Sequence, residues 1–228
     1  MNSKFIRMQN RQLYILTLFL LLASTAFSQS FINTRDYSID RGPSQNVSFS
    51  AEIEYPISGG SQEVLAAIRA WFCDILDLPQ RNFSDANVLL RMAADSFMVN
   101  GRGKREVRIE RSFEDARCVT FQSWVTDKDD ETWRAADCAS FNKEDGHRIT
   151  LDEIFNCDEA QIKQLMWQYR GELQLDVDVP EGLMPVNAGF TDGWVIVIGP
   201  AYHRTGAEFK MRYMSILPYL KSDYSGYY

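Results

Sequence analysis

The residue types best suited to chemistry stand together in one short stretch, Pro200-Ala201-Tyr202-His203-Arg204-Thr205-Gly206. Tyr202 offers an aromatic face, His203 an imidazole that titrates near neutral pH, and Arg204 a planar guanidinium; such sets on a loop after a strand serve ligand contact. Binding of a carbohydrate or a protein is the chemistry this trio fits. The other histidine, His147, lies beside Gly146 in an Asp-Gly turn and reads as a surface turn residue. Asp127 and Asp129 imitate the start of a calcium loop, but the sixth position is Thr132 rather than Gly and the twelfth is Cys138 rather than Glu. That stretch reads as a solvated hairpin tip. Asp176 and Asp178 have the types of a glycosidase pair, yet they alternate with Leu175, Val177 and Val179 as the wet face of a strand does. The chain has no G-x-S-x-G, no HExxH and no nucleophilic cysteine with a paired histidine, so no catalytic residue, metal set or cofactor is expected.

Four cysteines remain to be placed, Cys73, Cys118, Cys138 and Cys157. Lys4, Arg7 and Arg11 precede an apolar run from Leu13 to Ala23, and Ala26 and Ser28 then mark a cleavage site before Gln29. Residues 1–28 therefore read as a signal peptide, and the run is too short for the ~20 residues a spanning helix needs. In an oxidising compartment four cysteines predict two disulfides, and the absence of CxxC spacing argues against zinc. Three connectivities are open. A hairpin register with position sums near 256 favours Cys118–Cys138, which leaves Cys73–Cys157.

Without the three basic leader residues, 21 basic face 31 acidic residues, a net charge of −10. No basic stripe offsets that acidity, which excludes nucleic acid as the natural partner and leaves a basic protein as one the field would steer in. No membrane span is expected after cleavage.

The elements that must hold the Tyr202 loop are read from periodicity. Residues 29–46 show no sustained pattern and are expected as an extended lead-in. Val47, Phe49, Ala51, Ile53 and Tyr55 alternate as a strand; Ser61 caps a helix carrying Val64, Leu65, Ile68, Trp71, Phe72, Ile75 and Leu76; a second helix runs from Ser84 to about Val99. Strands follow around Val107–Phe113, Val119–Val125 and Trp133–Phe141. Asp145-Gly146 turns the chain, Thr150 caps a short helix with Leu151, Ile154 and Phe155, and Asp158 caps another with Ile162, Leu165, Met166 and Tyr169. Val186–Phe190, Trp194–Ile198 and Phe209–Tyr213 read as closing strands, with Asp192-Gly193 turning between the first two, and Tyr224 falls in a tail with no packing pattern. The expected fold is α+β, a mostly antiparallel sheet covered by two or three helices and stapled by disulfides, with a single domain over 47–220, for which a division into two lobes (47–104 and 105–220) stays open, and a tail at 221–228.

Four features in this order resemble the RsiV-type extracytoplasmic domain of unknown function, found in lysozyme-sensing anti-sigma factor ectodomains and beside polysaccharide-deacetylase domains. They are Ile53-Glu54-Tyr55-Pro56 before a glycine turn and long helix; Ser140-Phe141-Asn142, Gly146 and Ile149 to Phe155; Phe190-Thr191-Asp192-Gly193; and Tyr202 with Gly206. The family's Gly-Gly-Ala-His hairpin turn is replaced here by Asp129-Asp130-Glu131-Thr132-Trp133-Arg134. The resemblance implies an exported, non-catalytic envelope protein that binds a lysozyme-like protein or a wall glycan, with Tyr202, His203 and Arg204 in contact. An envelope hydrolase using Asp or Glu and a structural envelope component are the alternatives.

Overall fold

The structure, a computed structural model, describes residues 31–44, 46–129, 131–202 and 205–224, with backbone alone at 201–202 and 205–206. The expected signal peptide lies outside the described residues. No helix among the described residues is long and apolar enough to cross a membrane.

Eight strands form two sheets. The larger holds β1 (Asn33–Ser44), β2 (Val47–Ser58), β3 (Lys104–Glu114), β4 (Cys118–Lys128) and β5 (Thr132–Asn142) in that order; the smaller holds β6 (Asn187–Thr191), β7 (Trp194–Tyr202) and β8 (Thr205–Arg212). All neighbours are antiparallel except β2 and β3. A parallel pair needs a long crossover, and two helices supply it: α1 (Gln62–Ile75) and α2 (Ala86–Asn100). Both start where side chains can satisfy the unpaired first-turn amides. Val64 N donates to Ser61 Oγ at 3.3 Å and Asn87 N to Asp85 Oδ1 at 2.8 Å.

Odd-numbered positions of the large sheet, among them Phe49, Ile53, Tyr55, Val107, Ile109, Phe121 and Phe141, face α1 and α2 in the first core. The opposite face carries the even positions. There the small sheet packs together with α3 (Leu151–Ile154), α4 (Glu159–Gln168) and α5 (Tyr213–Ile216) to build a second core around Phe155, Met166, Phe190, Val195, Val197 and Phe209. The run Val195 to Ile198 is buried throughout, as a central strand covered on both faces must be.

β6 crosses the large sheet rather than running along it. Asn187 Nδ2 donates to Asp137 of β5 at 2.6 Å, Gly189 lies against Thr120 of β4, and Ser112 of β3 donates to the Phe190 carbonyl at 2.8 Å. The approach is close enough to require glycine: a Cβ on Gly189 would stand 2.8 Å from Thr120 Cγ2 and 3.2 Å from Cys138 Sγ.

Four expectations are corrected. No disulfide joins the cysteines. β4 and β5 pair with Cys118 opposite Asn142 and Cys138 opposite Gln122; four residues of offset separate the two cysteines along the ladder by about 13 Å, beyond bridging reach. Cys73 sits in the first core and Cys157 beside the second, with the large sheet between them. Burial pushes the thiols of Cys73, Cys138 and Cys157 up, which disfavours the thiolate. The lead-in is not loose: residues 33–44 form β1, paired with β2 from Asn33 opposite Ser58 to Ser44 opposite Val47. Residues 175–179 are not a strand, because Leu175 and Val177 pack on the second core from an irregular segment. The tail, finally, packs: Tyr224 stacks on Phe190 with centroids 5.5 Å apart, and burial raises its phenol to about 12.

Candidate functional site

The small sheet covers only part of the even-numbered face, and what it leaves open is the candidate site. Register alone lays that surface out in three rows. Asp36 faces Glu54, and Glu110 continues the row to Gln122; Ser38, Glu52, Arg108 and Trp124 form the next; Asp40, Ser50, Glu106 and Thr126 form the third. Gln122 and Cys138 are already buried beneath the small sheet, so the open area belongs to β1, β2, β3, the far half of β4 and the first half of β5. Two depressions of about 410 and 500 Å³ share Ser38, Glu52 and Arg108 and join into one shallow groove across the strands.

Its charges fall into two groups. Glu106 is held by Lys104 at 2.6 Å and Lys128 at 2.9 Å, whose hydrogen bonds keep its carboxyl below the usual range; Arg108 pairs with Glu110 and lies over the Trp124 ring, 5.6 Å from its centroid. Glu54 accepts from Thr34 and from the Arg111 backbone at 2.9 Å. Asp36, Asp40 and Glu52 make no ion pair among the described residues and are exposed. An exposed carboxylate without a partner, next to an aromatic ring and three hydroxyls (Ser38, Ser50 and Thr126), can bind a cationic side chain or a polar ligand. These carboxylates stand on an open face rather than in an enclosed cleft.

Tyr202 ends β7 with its backbone opposite Thr205, while His203 and Arg204 lie outside the described residues. Asp127 is occupied, accepting both Nε (2.7 Å) and NH2 (2.8 Å) of Arg105 in a bidentate pair. Among the described residues no group of three or more His, Cys, Asp or Glu is arranged to hold a metal ion.

His147 makes more of its turn than a solvated imidazole would. Gly146 takes φ +80° and packs against the Val64 backbone at the start of α1, His147 N donates to Asp145 Oδ1 at 3.0 Å, and the ring bridges Asp145 Oδ1 at 2.6 Å and Glu153 Oε1 at 2.8 Å. Glu153 also accepts from Thr150 N at 2.8 Å, so one carboxylate both caps α3 and holds the ring. Partial burial opposes charging of His147, but hydrogen bonds to the two carboxylates outweigh it and the pKa rises above the ordinary 6.5. A raised folded value means the clasp contributes its full stability below about 6.5 and loses it as pH climbs through the folded pKa. Asp145 and Glu153, both lowered, contribute above their ordinary values of 3.8 and 4.5 and lose it in acid. The clasp is thus strongest in the mildly acidic window between. A proton NMR titration of the His147 ring is expected to show a midpoint above 6.5 that falls back in Glu153→Gln; an unmoved midpoint would rule out the bridge.

Sequence reading missed the open face because β1 was left out of the sheet. The signal is present, since Arg35-Asp36-Tyr37-Ser38-Ile39-Asp40 alternates polar and apolar residues at the period of a strand. Which of the even-numbered residues remain uncovered depends on where the small sheet ends.

No family model matches the sequence, and no curated protein matches it. Solved structures do. The chain is similar to a DUF3298 family member from Bacteroides fragilis, with TM-score 0.60 and 10% identity over 85% of this chain and 95% of that one. It is also similar to a DUF3298 family protein from Pseudomonas aeruginosa, with TM-score 0.52 and 10% identity over 86% of this chain and 97% of that one. At such identity the likeness carries the architecture and not the ligand, and the chain has the fold of these bacterial DUF3298 proteins.

Proposed function

We propose that the chain is an exported, non-catalytic binding protein of the cell envelope that recognises a lysozyme-like basic protein, with the open face of the large sheet and the Tyr202–Gly206 stretch as its contacts. The observation that carries this reading is the uncovered row Ser38, Glu52, Arg108 and Trp124, flanked by Asp36 and Asp40, on a sheet face whose other end, at Gln122, Cys138 and Ser140, is buried beneath the small sheet. Protein faces left free of a second layer while rich in unpaired carboxylates attract basic partners and speed their approach. A hydrolase reading needs two carboxyls facing across a cleft at roughly 5–9.5 Å; here the candidates share one open sheet face. A wall glycan is the second ligand class, favoured by Trp124 beside Ser38, Ser50 and Thr126, since sugars pair an aromatic platform with hydroxyl contacts.

Titration calorimetry against a lysozyme and against soluble wall fragments tests this. Glu52→Lys and Trp124→Ala address the sheet face, Tyr202→Ala and His203→Ala the loop. Saturable lysozyme binding that weakens with salt and about tenfold or more in Glu52→Lys is the expected result. Binding of wall fragments lost in Trp124→Ala, with no response to lysozyme, would transfer the site to the glycan. No heat with either ligand would overturn both.

A further inference from the structure

β1 is the terminal strand of the large sheet, and its outer side pairs with no strand among the described residues. Register breaks occur only at its ends, between Asn33 and Thr34 and between Arg41 and Ser44, so Thr34 to Arg41 is a regular stretch with one row of backbone donors and acceptors already used by β2 and the other row turned outward. Such an edge is a template for an added strand. We propose that β1 docks an extended segment of a partner protein in which basic and apolar side chains alternate, the segment adding as a sixth strand.

The charge pattern selects that chemistry. Asp36 and Glu54 are direct cross-strand partners and Glu110 lies on the next strand of the same row. Like charges placed opposite each other in a sheet destabilise it, and this row ends at the free edge. Arg111 lies 3.3 Å from Glu54 and Arg108 pairs with Glu110, so Asp36 is the carboxylate of the row that no cation meets among the described residues; a lysine or arginine opposite it supplies one, and one four residues away along the incoming strand meets Asp40. On the other face Tyr37 and Ile39 are half-buried against the first core, leaving flanks for apolar side chains of the same segment.

A second copy of this chain is the wrong occupant. Antiparallel pairing of β1 with itself about Ser38, which engages residues 35–41, sets Asp36 against Asp40 and Arg35 against Arg41 on shared faces; parallel in-register pairing opposes each charge to itself. The charges that discourage self-association therefore admit a strand of complementary sign. This contact lies on the sheet's rim and does not depend on which ligand the open face takes.

The test uses the purified protein and three acetylated, amidated peptides: Thr-Val-Lys-Val-Ser-Val-Lys-Val-Thr, the same sequence with Glu for both Lys, and the Lys peptide N-methylated at alternate residues. Expected are saturable binding of the first by fluorescence anisotropy, affinity reduced about tenfold or more in Asp36→Asn/Asp40→Asn, no binding of the Glu peptide, and amide-exchange protection gained within residues 34–41. N-methylation should abolish binding, because it removes the ladder donors and leaves the charge. Equal binding of the Lys and Glu peptides, retention of affinity on N-methylation, protection appearing outside β1, or no saturation up to about 1 mM would each overturn the proposal.

Discussion

Lys143→Met is expected to cost about 3 kcal/mol of folding stability, because it takes one of two cations from a buried carboxylate and leaves it Arg111 alone. The Lys143 and Glu114 side chains are only 3% and 5% exposed, and Lys143 Nζ lies 2.8 Å from Glu114 Oε1 and 2.9 Å from the Asp115 carbonyl, while Phe31 covers it with its ring centroid 4.9 Å away. Glu114 holds more than the lysine. It also accepts from Ile32 N at 2.7 Å and from Arg111 NH1 at 2.7 Å, and Arg111 in turn donates to the Ile32 carbonyl at 2.8 Å. One carboxylate therefore ties the entry to β1, the end of β3 and the segment after β5. Urea unfolding of Lys143→Met beside Lys143→Met/Glu114→Gln separates the two contributions: the double variant should regain part of the loss, since the carboxylate that has lost one of its two cations is gone. A single-variant loss below about 1 kcal/mol would mean that water reaches the pair and that the network is not a buried one.

Phe72→Ala is expected to cost a similar amount, about 3–5 kcal/mol, through lost burial and the cavity left behind. Phe72 has 0% exposure and meets Tyr55 of β2 at 5.1 Å, Trp71 at 5.6 Å and Phe121 of β4 at 5.5 Å between ring centroids, all edge-on. Edge-to-face contacts add to area burial, and the surrounding rings are held from other directions. Tyr55 donates its hydroxyl to the Phe83 carbonyl at 2.7 Å, and Trp71 donates Nε1 to Asp137 at 3.1 Å, so neither is free to collapse into the space. Phe72→Leu should lose less, in proportion to the volume removed. Exposed Val99 on α2 provides the contrast, since its substitution by Ala should change stability by no more than about 0.5 kcal/mol. Chemical denaturation with an unchanged m-value checks all three, and a near-neutral Phe72→Ala would place the load of the first core elsewhere.

These two sites differ in how well periodicity anticipates them. Phe72 stands on the apolar stripe of a capped helix, and its burial follows from spacing alone. Lys143 and Glu114 read as ordinary polar residues at strand ends, and only the arrival of residue 32 over them removes the water. Cysteine pairing failed for a related reason. The alternation that puts Cys118 and Cys138 on one face holds, but the hairpin's register differs by four residues from the expected one, and alternation is blind to a shift by an even number of residues.

The same division runs through the whole molecule. Local sequence by itself determined the helix starts at Ser61, Thr150 and Asp158, the turns at Gly146 and Gly193, the inward faces of β2 and β4 and the double-sided burial of β7, because each depends on side chains within a few residues of one another. Tertiary structure alone decided that β1 joins the sheet, that β2 and β3 run parallel across the two-helix crossover, that the small sheet crosses β5, β4 and β3, and therefore which polar residues stay uncovered. Those outcomes rest on register and on the extent of a second layer, which are set by contacts between residues tens of positions apart. A surface is functional by what fails to cover it, and local sequence holds no record of that.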